Sequence, residues 1–321
     1  MAMPGLAPML TITPPEIEPR YLKSRAEKEL PLEFSFHKFI ASPPIAVLDA
    51  VSPLVKQISL GWIIKKDARL LLELTTVDLP YPGLPKALDG FTIMHLADRH
   101  GDASDEGRQR LEKCIGGRTV DIVIDSGDQY GKFHGEPFNR MAIEQTGKAL
   151  RSVESKYGFF ATLGDHDHGT QVVPALMDIG VQPLVNQFVR LPVSDAIVRI
   201  TGIDDPYRFY TPAAKNILHT GMGGSNSENE FRMVVSHSAD IADDAADAGH
   251  NLVISGHTHG GQICITERLT IRHLRHHPEF YRGQHLYKDM WVCTSNGIGT
   301  SVVPIRYKCP AQVVLYTLKI A

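Results

Sequence analysis

Short apolar runs, five of them broken off by clusters of Asp and His, constrain this 321-residue chain more than any other feature. Valine, isoleucine and phenylalanine crowd residues 91–97, 120–125, 159–163, 197–203, 231–236, 252–255, 290–294 and 313–318, the composition of buried strands. Residues 104–115, 138–156 and 170–179 between the early runs read as helices, and residues 239–248 as another. Alternating strands and helices predict a layered α/β domain around a central sheet. The later runs follow one another without long helices, so a second, mixed or partly antiparallel sheet is expected.

Five runs lead directly into candidate ligands: Asp98-Arg99-His100, Gly127-Asp128, Gly164-Asp165-His166-Asp167, Ser236-His237 and Gly256-His257-Thr258-His259. In open α/β sheets the ligand crevice lies at the carboxyl ends of the strands, so residues far apart in sequence converge there. Any one cluster alone reads more readily as a turn, with Asp bonding the backbone and Gly supplying positive φ. Together, Asp98, His100, Asp128, Asp165, His237, His257 and His259 offer seven donors. Imidazole and carboxylate suit borderline to hard divalent metals, and this set is too large for one ion but suits two sharing a carboxylate. Two such ions, roughly 3.5–4 Å apart, clamp the attacking and leaving oxygens of a phosphoryl transfer.

In order and spacing, the stretches ADRHGD, DSGDQYG, LGDHDHG, VVSHSAD and SGHTHGGQI resemble the calcineurin-like metallophosphoesterase family, whose signature runs D-x-H, G-D, G-N-H-D/E, H, G-H-x-H. The resemblance spans residues 75–318. The lead-in TTVDLPYPGLPKALDGFTIMHLAD and the ending SNGIGTSVVPIRYKCPAQVVLYTL are similar to a bacterial branch whose members are often membrane-attached. It implies an α/β (α+β mixed) β-sandwich of two mixed sheets flanked by helices. It also implies two divalent metal ions, manganese first, with iron or zinc compatible. Asp98, His100 and His259 would hold one ion, Asp128 would bridge, and His237, His257 and Asp165 would complete the other. A metal-bridging water or hydroxide would be the nucleophile. His166 would contact the phosphate and serve as general acid, and Asp167 would hold its imidazole, directly or through a loop hydrogen bond.

Two departures from the family pattern matter. Asp165 stands where the signature has Asn, adding a negative charge to the ligand set. Arg99 stands where an apolar residue is commoner, and either grips a substrate phosphate or pairs with Asp102 or Asp105. Residues 272–285 carry Arg275 and Arg282, read as substrate-binding or as part of a solvated basic loop, and Arg306 is a weaker candidate for substrate binding.

The expected activity is hydrolysis of a phosphodiester or pyrophosphate, with an envelope or lipid-linked substrate such as UDP-diacylglucosamine favoured. A soluble phosphodiesterase for nucleotides or generic diesters, and a catalytically impaired metal-binding scaffold, are the alternatives. With 33 basic against 36 acidic residues, bulk nucleic-acid binding is not expected. The four cysteines lie far apart and read as reduced thiols rather than a zinc ribbon or redox pair.

The expected division is an N-terminal arm, residues 1–74, before a catalytic domain, residues 75–321. In residues 45–66, Leu48, Val51, Val55, Ile58, Trp62 and Ile63 form a helical stripe. It either packs on its own domain or lies in a membrane interface. No signal peptide or transmembrane helix is expected, which places the chain in the cytoplasm or peripherally at the cytoplasmic membrane face.

Overall fold

The computed structural model describes residues 17, 19–28, 71–100, 104–130, 138–220, 229–264, 274, 276–301 and 305–321. The stripe at residues 45–66 and Arg275 lie outside the described residues. Two six-stranded mixed sheets form the centre. The first is built from β1 (Leu72–Tyr81), β2 (Thr92–Leu96), β4 (Ile122–Asp125), β6 (Phe159–Ala161), β7 (Gln182–Pro183) and β14 (Ala311–Ile320), in the order β1-β14-β2-β4-β6-β7. In it β2, β4, β6 and β7 run parallel, and β14 is antiparallel to β2. The second comprises β8 (Gln187–Val193), β9 (Ala196–Ile203), β10 (Glu230–Ser236), β11 (Leu252–Ser255), β12 (Gly283–Tyr287) and β13 (Met290–Thr294), in the order β12-β13-β11-β10-β9-β8. There β9, β10, β11 and β13 are parallel, and the two edge strands are antiparallel.

Strand alternation sorts the apolar residues into three layers. Ile93, Ile122, Ile124 and Phe160 of the first sheet meet Val198, Ile200, Met233, Leu252 and Ile254 of the second in one core between the sheets. Met94, Leu96 and Val123 point the other way, under α2 (Asp105–Ile115), α3 (Arg140–Leu150) and α4 (Gly169–Asp178). Val234, Val253 and Val292 face α5 (Pro212–His219) and α6 (Ala242–Asp247) on the far side. The result is the expected α/β sandwich of two mixed sheets flanked by helices.

Local departures from the sequence reading have physical causes. The helix expected over residues 138–156 stops at Leu150, because β5 (Glu154–Ser155) pairs in parallel with β3 (Thr119–Val120). Residues 239–248 divide into a 3-10 turn, Ala239–Ile241, and the short α6. β1 escaped the apolar pattern because most of it is half-buried or exposed, although it pairs with β14 over its whole length.

Within the arm, α1 (Pro19–Lys28) packs against α4, so this part of residues 1–74 docks on the sandwich. Its Arg25 is 2% exposed. No helix among the described residues is long and apolar enough to cross a membrane.

Candidate metal centre

The parallel strands β2, β4 and β6 of one sheet and β10 and β11 of the other deliver their carboxyl ends to one edge of the sandwich. Asp98 and His100 follow β2, Asp128 follows β4, Asp165 and His166 follow β6, His237 follows β10, and His257 and His259 follow β11. One group there is Asp98, His100 and His259, and another is Asp165, His237 and His257. Asp128 lies between them, its Oδ2 3.5 Å from His100 Nε2 and 3.3 Å from His237 Nε2. Asp165 Oδ1 is 3.4 Å from both His237 Nε2 and His257 Nδ1.

The turns that hold these residues are conformationally costly. Asp98, His100, Asp128, His257 and His259 all have positive φ, between 46° and 71°. For non-glycine residues such backbone costs of order 1–3 kcal/mol and persists where the surroundings over-determine it, characteristically at functional sites. Gly164 shows how tightly the loops approach: a Cβ there would overlap Asp128 Oδ1.

Loop contacts cross from one strand end to the next. The Asp98 carboxylate accepts the His257 N–H at 2.9 and 3.0 Å. The Asp128 carbonyl accepts the His100 N–H at 3.0 Å, and Asp128 Oδ1 the His166 N–H at 3.0 Å. His237 Nδ1 lies 3.0 Å from the Ser126 carbonyl, a contact that assigns the proton to Nδ1 and turns the Nε2 lone pair inward.

Buried polar atoms are ordinarily hydrogen-bonded, yet His237 Nε2 and Asp165 Oδ1 are buried and have no hydrogen-bond partner. Two such atoms facing one another, beside His100 Nε2 at 2.9 Å from His259 Nε2, suit divalent cations. The residues present therefore fit the expected pair of metals.

In the protein alone, burial pushes the Asp98 carboxyl up to about 6 and drops His100 to about 4. Burial, reinforced by His100 and Arg306, holds His259 well below the ordinary histidine range. For His237, burial works to lower the pKa, but the carboxylates of Asp128, Asp165 and Asp98 outweigh it and raise it well above normal. Asp165 is the mirror image: burial opposes ionisation, and the imidazoles of His166, His237 and His257 nevertheless hold it well below the usual range.

Two expected roles, those of Arg99 and Arg306, are corrected by where the side chains lie. Arg99 is buried and turned away from the edge: its Nε donates to Asp125 at 2.7 Å and its NH1 to Thr146 of α3. Its guanidinium is met by Asp125, at the end of β4, and not by Asp105, whose carboxylate lies beside Arg108; Asp102 lies outside the described residues. Arg306 is wholly buried and caps carbonyls, donating to Gly299 O at 2.8 Å, His259 O at 3.1 Å and Asn296 O at 2.6 Å. It supports the His259 loop from behind instead of meeting substrate. The Asp167 carboxylate accepts the N–H groups of Asp128, Tyr130 and Gly164 at 2.8, 3.1 and 2.9 Å, so of the two expected arrangements its bonds are to the loops that carry His166 rather than directly to the ring. Burial and the Asp128 charge push Asp167 up to about 7. Arg282 lies over the Tyr281 ring with NH1 3.7 Å from Cys264 Sγ. The His166 side chain, 37% exposed, is at the open side of the cluster.

Sequence reading missed the support from α1 and from the loop after β9. Arg25 donates from Nε to Asp204 Oδ2 at 2.8 Å, from NH1 to the Asp167 carbonyl at 2.5 Å and from NH2 to the Gly164 carbonyl at 2.9 Å. Tyr21 adds its hydroxyl to the same Asp204 oxygen at 2.7 Å. Arg208, in the Asp204–Asp205–Pro206–Tyr207–Arg208 loop, reaches Asp165. The Asp-Asp pair after β9 was the available signal, since it ends a strand as the recognised clusters do.

A calcineurin-like phosphoesterase family model matches residues 91–261, more than half of the chain. The uncharacterized metallophosphoesterase YkoQ of Bacillus subtilis is 28% identical over 74% of this chain and 86% of its own length. The uncharacterized metallophosphoesterase YkuE of the same organism is 25% identical over 78% and 86%. Among solved structures, a 5'-nucleotidase precursor from Thermus thermophilus is similar with a TM-score of 0.43 and 12% identity. That likeness covers 65% of this chain, which spans about half of that protein's length.

Proposed function

Because the chain belongs to the calcineurin-like phosphoesterase family, and is thereby a metal-dependent phosphoester hydrolase, we propose that it cleaves phosphodiester or pyrophosphate bonds at a dinuclear centre. The observation that carries this reading is Asp128 Oδ2, set 3.5 Å from a histidine of one ligand group and 3.3 Å from a histidine of the other. Asp98, His100 and His259 would hold one divalent ion, and Asp165, His237 and His257 the other, with Asp128 shared. The bound ions would supply Lewis acidity toward the phosphoryl oxygens and water of lowered pKa.

The chain's own groups complete the chemistry. His166 reaches solvent at the open side of the site and donates its proton to the leaving oxygen. Its backbone N–H is anchored on Asp128 Oδ1, so the residue that joins the two ligand groups also sets the position of the acid. Asp167 fixes the Asp128 and Gly164 backbones on which that geometry depends. We expect His166→Gln to lower kcat by roughly 10²–10⁴-fold on diesters with an alkoxide leaving group. On p-nitrophenyl esters, whose leaving group needs no proton, the loss should be far smaller. Steady-state kinetics on both series checks this, and equal losses would remove His166 from the general-acid role.

A lipid-linked or envelope substrate such as UDP-diacylglucosamine, reached by peripheral membrane contact, extends the proposal. It is supported by the apolar stripe in residues 45–66 and by the lead-in before residue 98. Hydrolysis of bis-p-nitrophenyl phosphate, p-nitrophenyl phosphate and a UDP-linked acyl sugar, with manganese added, tests it. Preference for the acylated substrate supports the extension, whereas preference for the simple diester assigns a soluble phosphodiesterase.

A further inference from the structure

Asp165 has two oxygens in different surroundings. Oδ1 faces the imidazoles of His237 and His257, each 3.4 Å away. Oδ2 faces the opening, 3.3 Å from Arg208 NH2 and 4.0 Å from His166 Nε2. The carboxylate is therefore both a candidate ligand and the meeting point of an arginine with the proposed acid.

We infer that Arg208 is a substrate-binding residue, its guanidinium neutralising Asp165 and gripping the phosphoryl oxygens beside His166. The inference rests on the dinuclear reading above and adds a specificity-determining residue to it. Formal charge makes the case for neutralisation: the carboxylates of Asp98, Asp128 and Asp165 together cancel all but one positive charge of two divalent ions. An anionic diester would meet a site weakened by the third carboxylate, and Arg208 restores the lost charge where the substrate must enter.

Geometry makes the case for gripping. A guanidinium offers five N–H donors in a planar fork, and the contact through NH2 engages one edge of it on Asp165. The side chain is 25% exposed against 7% for Asp165, so it runs from the buried carboxylate out toward the opening. Its loop is held firmly enough to aim it. The Arg208 N–H donates to Asp205 Oδ2 at 2.8 Å, the Phe209 N–H to the Asp205 carbonyl at 2.9 Å, and the Tyr207 ring lies 5.3 Å from the His257 ring.

The test compares wild type, Arg208→Ala, Asp165→Asn and the double variant in metal-loaded form. It reads metal content by elemental analysis, inorganic phosphate binding by calorimetry, and KM and kcat on bis-p-nitrophenyl phosphate. Arg208→Ala should keep its metal, bind phosphate about 10- to 100-fold more weakly and show the loss mainly in KM, as expected when a charge-assisted contact is removed. Adding Asp165→Asn should recover part of that loss, because the uncompensated carboxylate is then gone. Should Arg208→Ala fail to fold, Arg208→Lys replaces it, keeping the charge but losing the fork, and a severalfold weakening of phosphate binding is expected. Phosphate binding unchanged in the variant, or the two substitutions adding without coupling, overturns the inference while leaving the hydrolase intact. A wild-type protein with neither metal nor turnover instead overturns the dinuclear reading itself.

Discussion

Asp128→Ala is expected to abolish turnover, lowering kcat by at least about a thousandfold, which is about 4 kcal/mol of transition-state stabilisation. The side chain serves three partners at once. Its Oδ2 lies between His100 and His237, and its Oδ1 takes the backbone N–H of His166 at 3.0 Å. Burial works to raise its pKa, but the His237 and His166 charges outweigh it and hold the carboxylate below the usual range. Removal therefore takes away the shared ligand and the anchor of the proposed acid together. Asp128→Asn separates these effects, because the amide still accepts the His166 N–H while losing the charge. Both variants should lose metal by elemental analysis, and both should keep a folded circular dichroism spectrum. Wild-type metal content and turnover in either one would show that Asp128 is not shared between two ions.

Arg25→Ala should cost stability on a scale unusual for a residue so far from the recognised motifs. Arg25 and Asp204 form an ion pair at 2.8 Å, both side chains fully buried. Breaking a buried pair by removing one partner costs about 3–5 kcal/mol, since the remaining charge is left uncompensated. The Gly164 and Asp167 carbonyls would lose the guanidinium's N–H groups, and the Phe209 ring the cation 4.0 Å from its centre. At roughly 2–4 °C of Tm per kcal/mol for a domain of 150–250 residues, the shift is large in a thermal melt. The loop between Gly164 and Asp167 carries Asp165 and His166, so kcat should fall in the folded variant as well. An unchanged Tm would mean that α1 does not dock on α4 as described.

Much of this architecture is legible in the sequence because strand ends do two jobs at once. The run before Asp98 announces itself by apolar β-branched residues, and the same strand delivers Asp98 and His100 to the edge of the sheet. Seven candidate ligands could thus be named, and the structure brings them together. Arg25 could not be named: 139 residues separate it from Gly164 and 179 from Asp204, and nothing local marks it as buried. Arg99 and Arg306 were misread for the opposite reason. An arginine beside a phosphate-handling motif suggests substrate, but these two satisfy buried carboxylate and carbonyl groups that strand-end loops would otherwise leave unpaired. The particular partners of Asp167 were not legible either, since three convergent N–H groups are a property of the folded loops and not of the motif.

The central claim is that two divalent ions sit among Asp98, His100, Asp128, Asp165, His237, His257 and His259 and enable hydrolysis. Elemental analysis of the purified protein, before and after chelation, with bis-p-nitrophenyl phosphate turnover measured in parallel, tests it most directly. Close to two divalent ions per chain are predicted. Chelation should remove them and the turnover together, and added manganese should restore both. Undiminished hydrolysis from a chain stripped of metal would contradict the claim.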